Sequence, residues 1–261
     1  MHYIIDTHAH YDDPAFDADR EGLLASLQTK GIGQVINIGA SMDSTRTTLD
    51  LARHYSFVYA ALGVHPSETA DLTEEDMDWI QQHASDEKVV AIGEIGLDYH
   101  YPDDPSPAHQ QEWFVRQLEL ARQVRLPVVI HSREAAKDTA DIMRARKAEQ
   151  IGGVCHCYSY SRESARDYLE MGFYFGIGGV LTFKNGKKLK EAVSYIPMDR
   201  LILETDCPYL APEPYRGKRN CSLYIPHVVK VMAELKNMEP DEVIRKTTEN
   251  AQRLFHLPVL E

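Results

Sequence analysis

Short apolar, β-branched runs alternate with amphipathic stretches along the chain. The runs fall at residues 3–6, 35–39, 58–63, 89–93, 127–130, 152–156, 174–178 and 200–204. Runs of this kind suit strands covered on both faces, as in a parallel sheet. Between them, residues 16–31, 108–124, 133–147 and 161–172 space their apolar positions as helices do, and two more helices are expected near 225–236 and 240–254. Several of these stretches open on a Ser, Thr or Asp cap, and two run into a glycine, Gly31 and Gly172. Eight strands with intervening helices predict an α/β fold, a single (β/α)8 TIM-like barrel domain spanning residues 1–261. The rival, a doubly wound open sheet, lacks its Gly-rich fingerprint after the first strand. The barrel makes a demand of its own: catalytic side chains belong at the C-terminal ends of its strands.

The chemistry-bearing residues fall at those ends. His8 and His10 follow the first run, His65 the third, His131 the fifth and His156 the sixth, while Glu94 follows the fourth and Glu204-Thr205-Asp206 the eighth. A strand has period two, so Asp6, His8 and His10 are expected on one face, as are Glu204 and Asp206. Two imidazoles at i and i+2 can reach one ion, with Asp6 a step deeper as an orienting group. Each histidine taken alone is equally well a hydrogen-bonded core residue. Jointly the case is different. Asp6, Glu94, Glu204 and Asp206 at one mouth would repel one another and drift toward protonation unless cations compensate them. Arg133 is aimed inward too, but one guanidinium cannot neutralise four acids. His8, His10, Glu94, His131, His156 and Asp206 are too many ligands for one tetrahedral ion and about enough for two. Glu94, on a strand between the ligand groups, is the expected bridge. Alternation turns Cys155 and Cys157 away from His156, so neither is counted as a ligand.

Charge and composition narrow the function. The chain holds 28 Lys+Arg and 40 Asp+Glu, a net −12, which argues against a nucleic-acid coat protein but not against an enzyme acting on nucleic acid. Two local basic stretches, 184–190 and 216–219, fit a small basic rim. The four cysteines form no CxxC pair and suggest free thiols in a reducing, cytoplasmic setting. No apolar run approaches the ~20 residues of a membrane span, and the N-terminus carries no visible secretory pattern.

The same residues resemble the TatD family of metal-dependent deoxyribonucleases, in the amidohydrolase-like barrel superfamily. The matching stretches are DTHAH (6–10), GVHP (63–66), IGEIGLDYH (92–100), PVVIHSREA (127–135), HCYS (156–159), GIGGVLTFKN (176–185) and LETDCPYLAP (203–212). They run in order over nearly the whole chain. The resemblance implies a barrel holding two divalent cations, or three, and hydrolysis of DNA phosphodiesters by a metal-activated water. It gives His8, His10, Glu94 and Asp206 to one ion and Glu94, His131 and His156 to the other. His65 would stand near the scissile phosphate, as ligand or hydrogen-bond donor, while Asp6 and Glu204 are expected behind the ligands. Asp206 would serve as general base. Mg, Mn and Zn are the candidate metals, and the imidazole content suits zinc, manganese, iron or nickel better than oxygen-seeking Mg.

Arg133, Lys184 and Arg219, in loops after strands 5, 7 and 8, are candidates to grip flanking phosphates, and Tyr158 to stack on or hydrogen-bond the substrate. The chain departs from the family in one loop, where Arg219-Asn220-Cys221-Ser222 stands in place of Arg-x-Asn-Glu-Pro. The expected substrate is DNA, as single strands or strand ends. The alternative is a binuclear amidohydrolase acting on an amide, lactone or nucleobase. Many of those bridge their ions with a carbamylated lysine at the end of strand 4, where this chain has Glu94.

Overall fold

A computed structural model describes residues 3–260. Eight strands form one sheet in sequence order, every neighbouring pair parallel. They are β1 (Ile4–Ala9), β2 (Ile32–Ile38), β3 (Val58–Leu62), β4 (Val89–Asp98), β5 (Val128–Arg133), β6 (Gly153–Cys155), β7 (Tyr174–Ile177) and β8 (Leu201–Leu203). The sheet curls back on itself: Ala9 bridges Cys207 in parallel, and the Asp206 N–H donates to the His8 carbonyl at 2.9 Å. The result is the (β/α)8 barrel that the pattern predicts.

The helices alternate with the strands: α1 (Arg20–Leu27), α2 (Met42–His54), α3 (Glu74–His83), α4 (Pro107–Val124), α5 (Ala136–Ala145), α6 (Arg162–Glu170), α7 (Lys187–Tyr195), α8 (Ile225–Lys236) and α9 (Pro240–Phe255). Their starts follow local chemistry. Ser41, Ser106 and Ser161 each accept a backbone N–H of the first turn, and Thr73 with Asp76 forms a reciprocal capping box on α3. The stretch expected as one helix from residue 16 instead opens α1 at Arg20 and tightens at Gln28–Lys30 before Gly31, whose φ of +88° stops it. The next departure has a tertiary cause. β5 pairs with β4 as far as Arg133, so α5 starts only at Ala136.

Side chains from all eight strands, among them Ile5, Ile36, Ala61, Val90, Val129, Val154, Tyr174 and Ile202, make one buried cluster together with Phe255 and Leu257 from the chain's end. Only the inward face of a closed sheet brings such residues together, so α9 and its tail close the N-terminal mouth of the barrel. Gln34 seals it further by donating to the Pro258 carbonyl at 3.0 Å. The opposite mouth is left to polar groups. Among the described residues, no helix is long and apolar enough to cross a membrane.

Strand ends differ from the sequence reading where the site begins. β4 runs five residues beyond its expected end, carrying Glu94 and Asp98 within the strand. β6 and β8 stop early, so His156, Glu204 and Asp206 lie just past the strands. Asp206 sits at φ +60°, which breaks the period-two relation expected between Glu204 and Asp206. β1 likewise shifts register between Asp6 and Ala9, so Asp6 does not share the direction of His8 and His10.

Candidate metal centre

The strand ends deliver five imidazoles and three carboxylates to one place. His8 and His10 come from the end of β1, with their Nε2 atoms 3.1 Å apart. Glu94 stands between two groups of rings. Its Oε2 is 3.4 Å from His8 Nε2 and 3.9 Å from His10 Nε2. Its Oε1 is 2.7 Å from His131 Nδ1, 3.1 Å from His156 Nε2 and 3.9 Å from His65 Nε2. Asp206 Oδ1 lies 3.4 Å from His10 Nε2 and 3.6 Å from His8 Nε2, closing the first group. Asp98 Oδ2 accepts from His131 Nε2 at 3.0 Å, extending the second.

The donor atoms fit divalent cations. Three sets each lie within 4.8 Å: His8, Glu94 and His156; His8, His10 and Asp206; and His65, Asp98 and His131. Two nitrogens bonded to one ion at about 2.0–2.1 Å stand about 3 Å apart, close to the separation of His8 and His10 Nε2. The rings are also oriented as ligands are. His10 Nδ1 faces the Ile38 carbonyl at 2.9 Å, an acceptor only, so Nδ1 carries a hydrogen and Nε2 is the nitrogen whose proton a cation would displace. His156 Nδ1 faces Glu204 Oε1 at 3.4 Å, off the line of a hydrogen bond. Mixed imidazole and carboxylate donors suit zinc or manganese better than magnesium.

Without cations, protons compensate the buried acids. Burial opposes ionisation of Glu94, but the facing His156 and His8 and hydrogen bonds from His131 and His156 hold it well below the usual carboxylate range. Burial likewise opposes a charge on His10, yet the hydrogen bond to Asp206 and the charges of Asp206 and Glu94 push its pKa up to about 9. Burial of His156 is outweighed by Glu94 and Glu204, and burial of His131 by its hydrogen bonds to Asp98 and Glu94, so both are raised. His131 shows why: both ring nitrogens face carboxylates, and a ring donates through both only as imidazolium. His65 goes the other way, lowered to about 3 by burial and by His131. The Ser67 backbone N–H donates to His65 Nδ1 at 3.2 Å, which leaves the hydrogen of the neutral ring on Nε2.

Asp6 and Glu204 lie behind this cluster. Asp6 accepts from Thr205 N–H at 3.0 Å, Thr205 Oγ1 at 2.8 Å and Ser222 Oγ at 2.6 Å, so it ties the start of β1 to the segment that carries Asp206. Burial raises its pKa to about 7, against those hydrogen bonds. Glu204 Oε1 accepts the Cys157 N–H at 2.5 Å, which anchors the chain beside His156. The departing loop has a structural part too. Asn220 Nδ2 donates to the Thr205 carbonyl at 3.0 Å, and Ser222 holds Asp6 and the Tyr11 hydroxyl.

The cluster lies at the floor of an open cavity of about 720 Å³. Arg133 is the one Lys or Arg among its described lining residues, with its guanidinium 5.1 Å above the Tyr101 ring. The other expected phosphate contacts stand elsewhere. Arg219 is fixed by Asp19 through two hydrogen bonds of 2.7 and 2.6 Å and lies over Phe16. Lys184 lines a separate groove. Tyr158 is buried against Phe175, its hydroxyl donating to the Ser161 carbonyl at 2.6 Å. Asp98 is not among the residues that the sequence pattern pointed to. Its signal was available: Asp98 is four residues beyond Glu94, on the same face if the strand continues.

An all-parallel barrel with imidazoles and acids gathered at the C-terminal strand ends has the build of a metal-dependent hydrolase. Comparison with known proteins carries this further. The family described as TatD related DNase matches residues 5–256. The chain is 44% identical over 254 residues to the uncharacterized metal-dependent hydrolase YabD of Bacillus subtilis, covering 97% of this chain and 99% of that protein. It is 36% identical over 258 residues to the uncharacterized metal-dependent hydrolase YcfH of Escherichia coli, covering 98% and 96%. The crystal structure of the TatD homologue YjjV from Escherichia coli superposes with a TM-score of 0.91 at 33% identity, covering 98% of both chains. The chain belongs to the TatD family of metal-dependent hydrolases.

Proposed function

We propose that this hydrolase cleaves phosphodiester bonds in DNA with two divalent cations, held through the shared carboxylate of Glu94. The observation that carries the reading is the division of that carboxylate, Oε2 toward His8 and His10 and Oε1 toward His131 and His156. His8, His10 and Asp206 would complete one position, and His131 and His156 the other. Asp98 and His65 beside His131 offer a third. Bound there, the cations would acidify a water and draw charge from a phosphoryl oxygen.

The chain's own residues supply the rest. Asp206 stays ionised: burial opposes its charge, but the His10 hydrogen bond and the charges of His156 and His8 hold its pKa low. An ionised carboxylate at this place can accept a proton from a water beside it. With the third position unfilled, His65 is a neutral donor at the same floor and can hydrogen-bond a non-bridging oxygen through Nε2. Arg133 stands at the rim, where a guanidinium can pair with a neighbouring phosphate. The family's description as DNase and Glu94 in place of a bridging lysine both favour phosphodiester over amide chemistry.

The test is elemental analysis of the purified protein, followed by assay with added Mn, Zn or Mg. A labelled single-stranded oligodeoxynucleotide, an amide, a lactone and a nucleobase serve as substrates. Cleavage of the oligonucleotide, absent from the Glu94→Gln protein, is the expected result. Turnover confined to the amide, lactone or nucleobase would replace this reading with the amidohydrolase one.

A further inference from the structure

The face that carries the metal cavity is electrically lopsided. On the side of the β1, β2 and β3 loops the cavity wall bears Asp12, Asp13, Asp43 and Glu68. On the other side, running from the loops after β6 and β7 along the starts of α6 and α7 toward Leu235 of α8, lies a separate groove of about 740 Å³. Its lining includes Arg162, Lys184, Lys187, Lys188 and Lys190, against Glu163 and Glu191 only. Five cations and two acids give this groove a net +3 on a chain whose net charge is −12. Lys184, Lys187, Lys188 and Arg162 are exposed, and Lys190 is held at the groove by donating to the Phe183 carbonyl at 3.1 Å.

One residue of the second basic stretch comes close to the first. Arg216, from the loop after β8, lies 4.3 Å above the ring of Phe183, next to Lys184. On the far edge Arg162 lies 4.4 Å above the partly exposed ring of Tyr195. The groove is also close to the chemistry. Ser161 on its lip is five residues beyond His156 (161 − 156), so at most about 18 Å of chain separates them.

We propose that this groove is an exosite for the sugar–phosphate backbone of single-stranded nucleic acid. The strand leaves the metal cavity over the β6 and β7 loops, away from the acidic wall. Lysines that neutralise phosphates attract the strand whatever its sequence, and arginine over tyrosine offers a flat cationic surface to a base. That the occupant is nucleic acid rests on the phosphodiesterase reading above.

The test uses the metal-loaded protein and a fluorescein-labelled 12-nucleotide strand with hydrolysis-resistant phosphorothioate links. Anisotropy gives its Kd at two salt concentrations for the parent, for Lys187→Gln/Lys188→Gln, and for Lys137→Gln as a charge control. In 0.1 M salt each lysine that contacts a phosphate of a single strand is worth about fivefold in Kd. The double variant is therefore expected to bind about 25-fold more weakly with a shallower salt dependence, while Lys137→Gln binds as the parent does. Cleavage of a dinucleotide, too short to reach the groove, is expected to be unchanged in the double variant. Equal binding by parent and double variant, or an equal loss in Lys137→Gln, overturns the exosite. Binding that depends on the groove in a protein that cleaves no phosphodiester would overturn the proposed function and leave the polyanion site standing.

Discussion

His8 and His10 point their Nε2 atoms at each other across 3.1 Å. Two ring nitrogens this close need something between them, either a proton or a cation. The carbonyl of Ile38 holds the Nδ1 hydrogen of His10, so Nε2 is the nitrogen turned toward a cation once its proton leaves. Replacing His10 by alanine is expected to remove one metal equivalent by elemental analysis and to lower activity by more than about 100-fold, beyond the usual effect of removing a group behind a ligand. A His10→Ala protein with full metal content and parental activity would refute the assignment.

Glu94→Gln tests the shared carboxylate. The amide keeps the shape but removes the negative charge that both ring groups face. It should weaken both metal positions together, where His10→Ala weakens one. The expected barrier increase is about 4 kcal/mol or more, roughly a thousandfold in rate. The metal titration is the decisive measurement: loss of a single equivalent, with the other bound as tightly as before, contradicts a bridge.

Metal uptake should release protons. In the metal-free protein the His10 pKa is about 9, raised from 6.5. The stability this confers is fully present below pH 6.5 and is lost as the pH rises to about 9. Thermal melts of EDTA-treated protein should therefore drop in that window. Melts of the metal-loaded protein should drop less, because the cation takes the proton's place. Calorimetry at pH 7 in buffers of different ionisation enthalpy should show the released protons directly. An uptake heat independent of buffer would argue against protons as the compensating charge.

Gly176 and Glu204 give a test that touches no ligand. A Cβ on Gly176 would stand 1.9 Å from Glu204 Oε2. Gly176→Ala must therefore displace the carboxylate that anchors Cys157 and faces His156. The expected outcome is a loss of about 1–3 kcal/mol in stability. Metal affinity at the His156 side should fall about 10- to 100-fold, with the His8 and His10 side less affected. Parental stability and affinity would show that Glu204 has room to move and does not set the His156 ring.

The sequence itself determined the barrel and the floor of its site. Runs of β-branched residues separated by capped helices admit few other arrangements, and a parallel barrel places strand ends at one mouth. His8, His10, Glu94, His131, His156 and Asp206 were legible because strand-end position is a local property of the chain. Tertiary structure decided what depended on partners far away in sequence. Pairing with β5 carried β4 on to Asp98. The register shift in β1 turned Asp6 toward Thr205 and Ser222, and the left-handed turn at Asp206 broke its alternation with Glu204. Arg219 and Tyr158 carry the right chemistry for substrate. An aspartate 200 residues away holds the first, and a backbone carbonyl holds the last. A lysine or arginine in a loop goes wherever its nearest charge lies, and a periodic pattern of apolar residues does not record where that is.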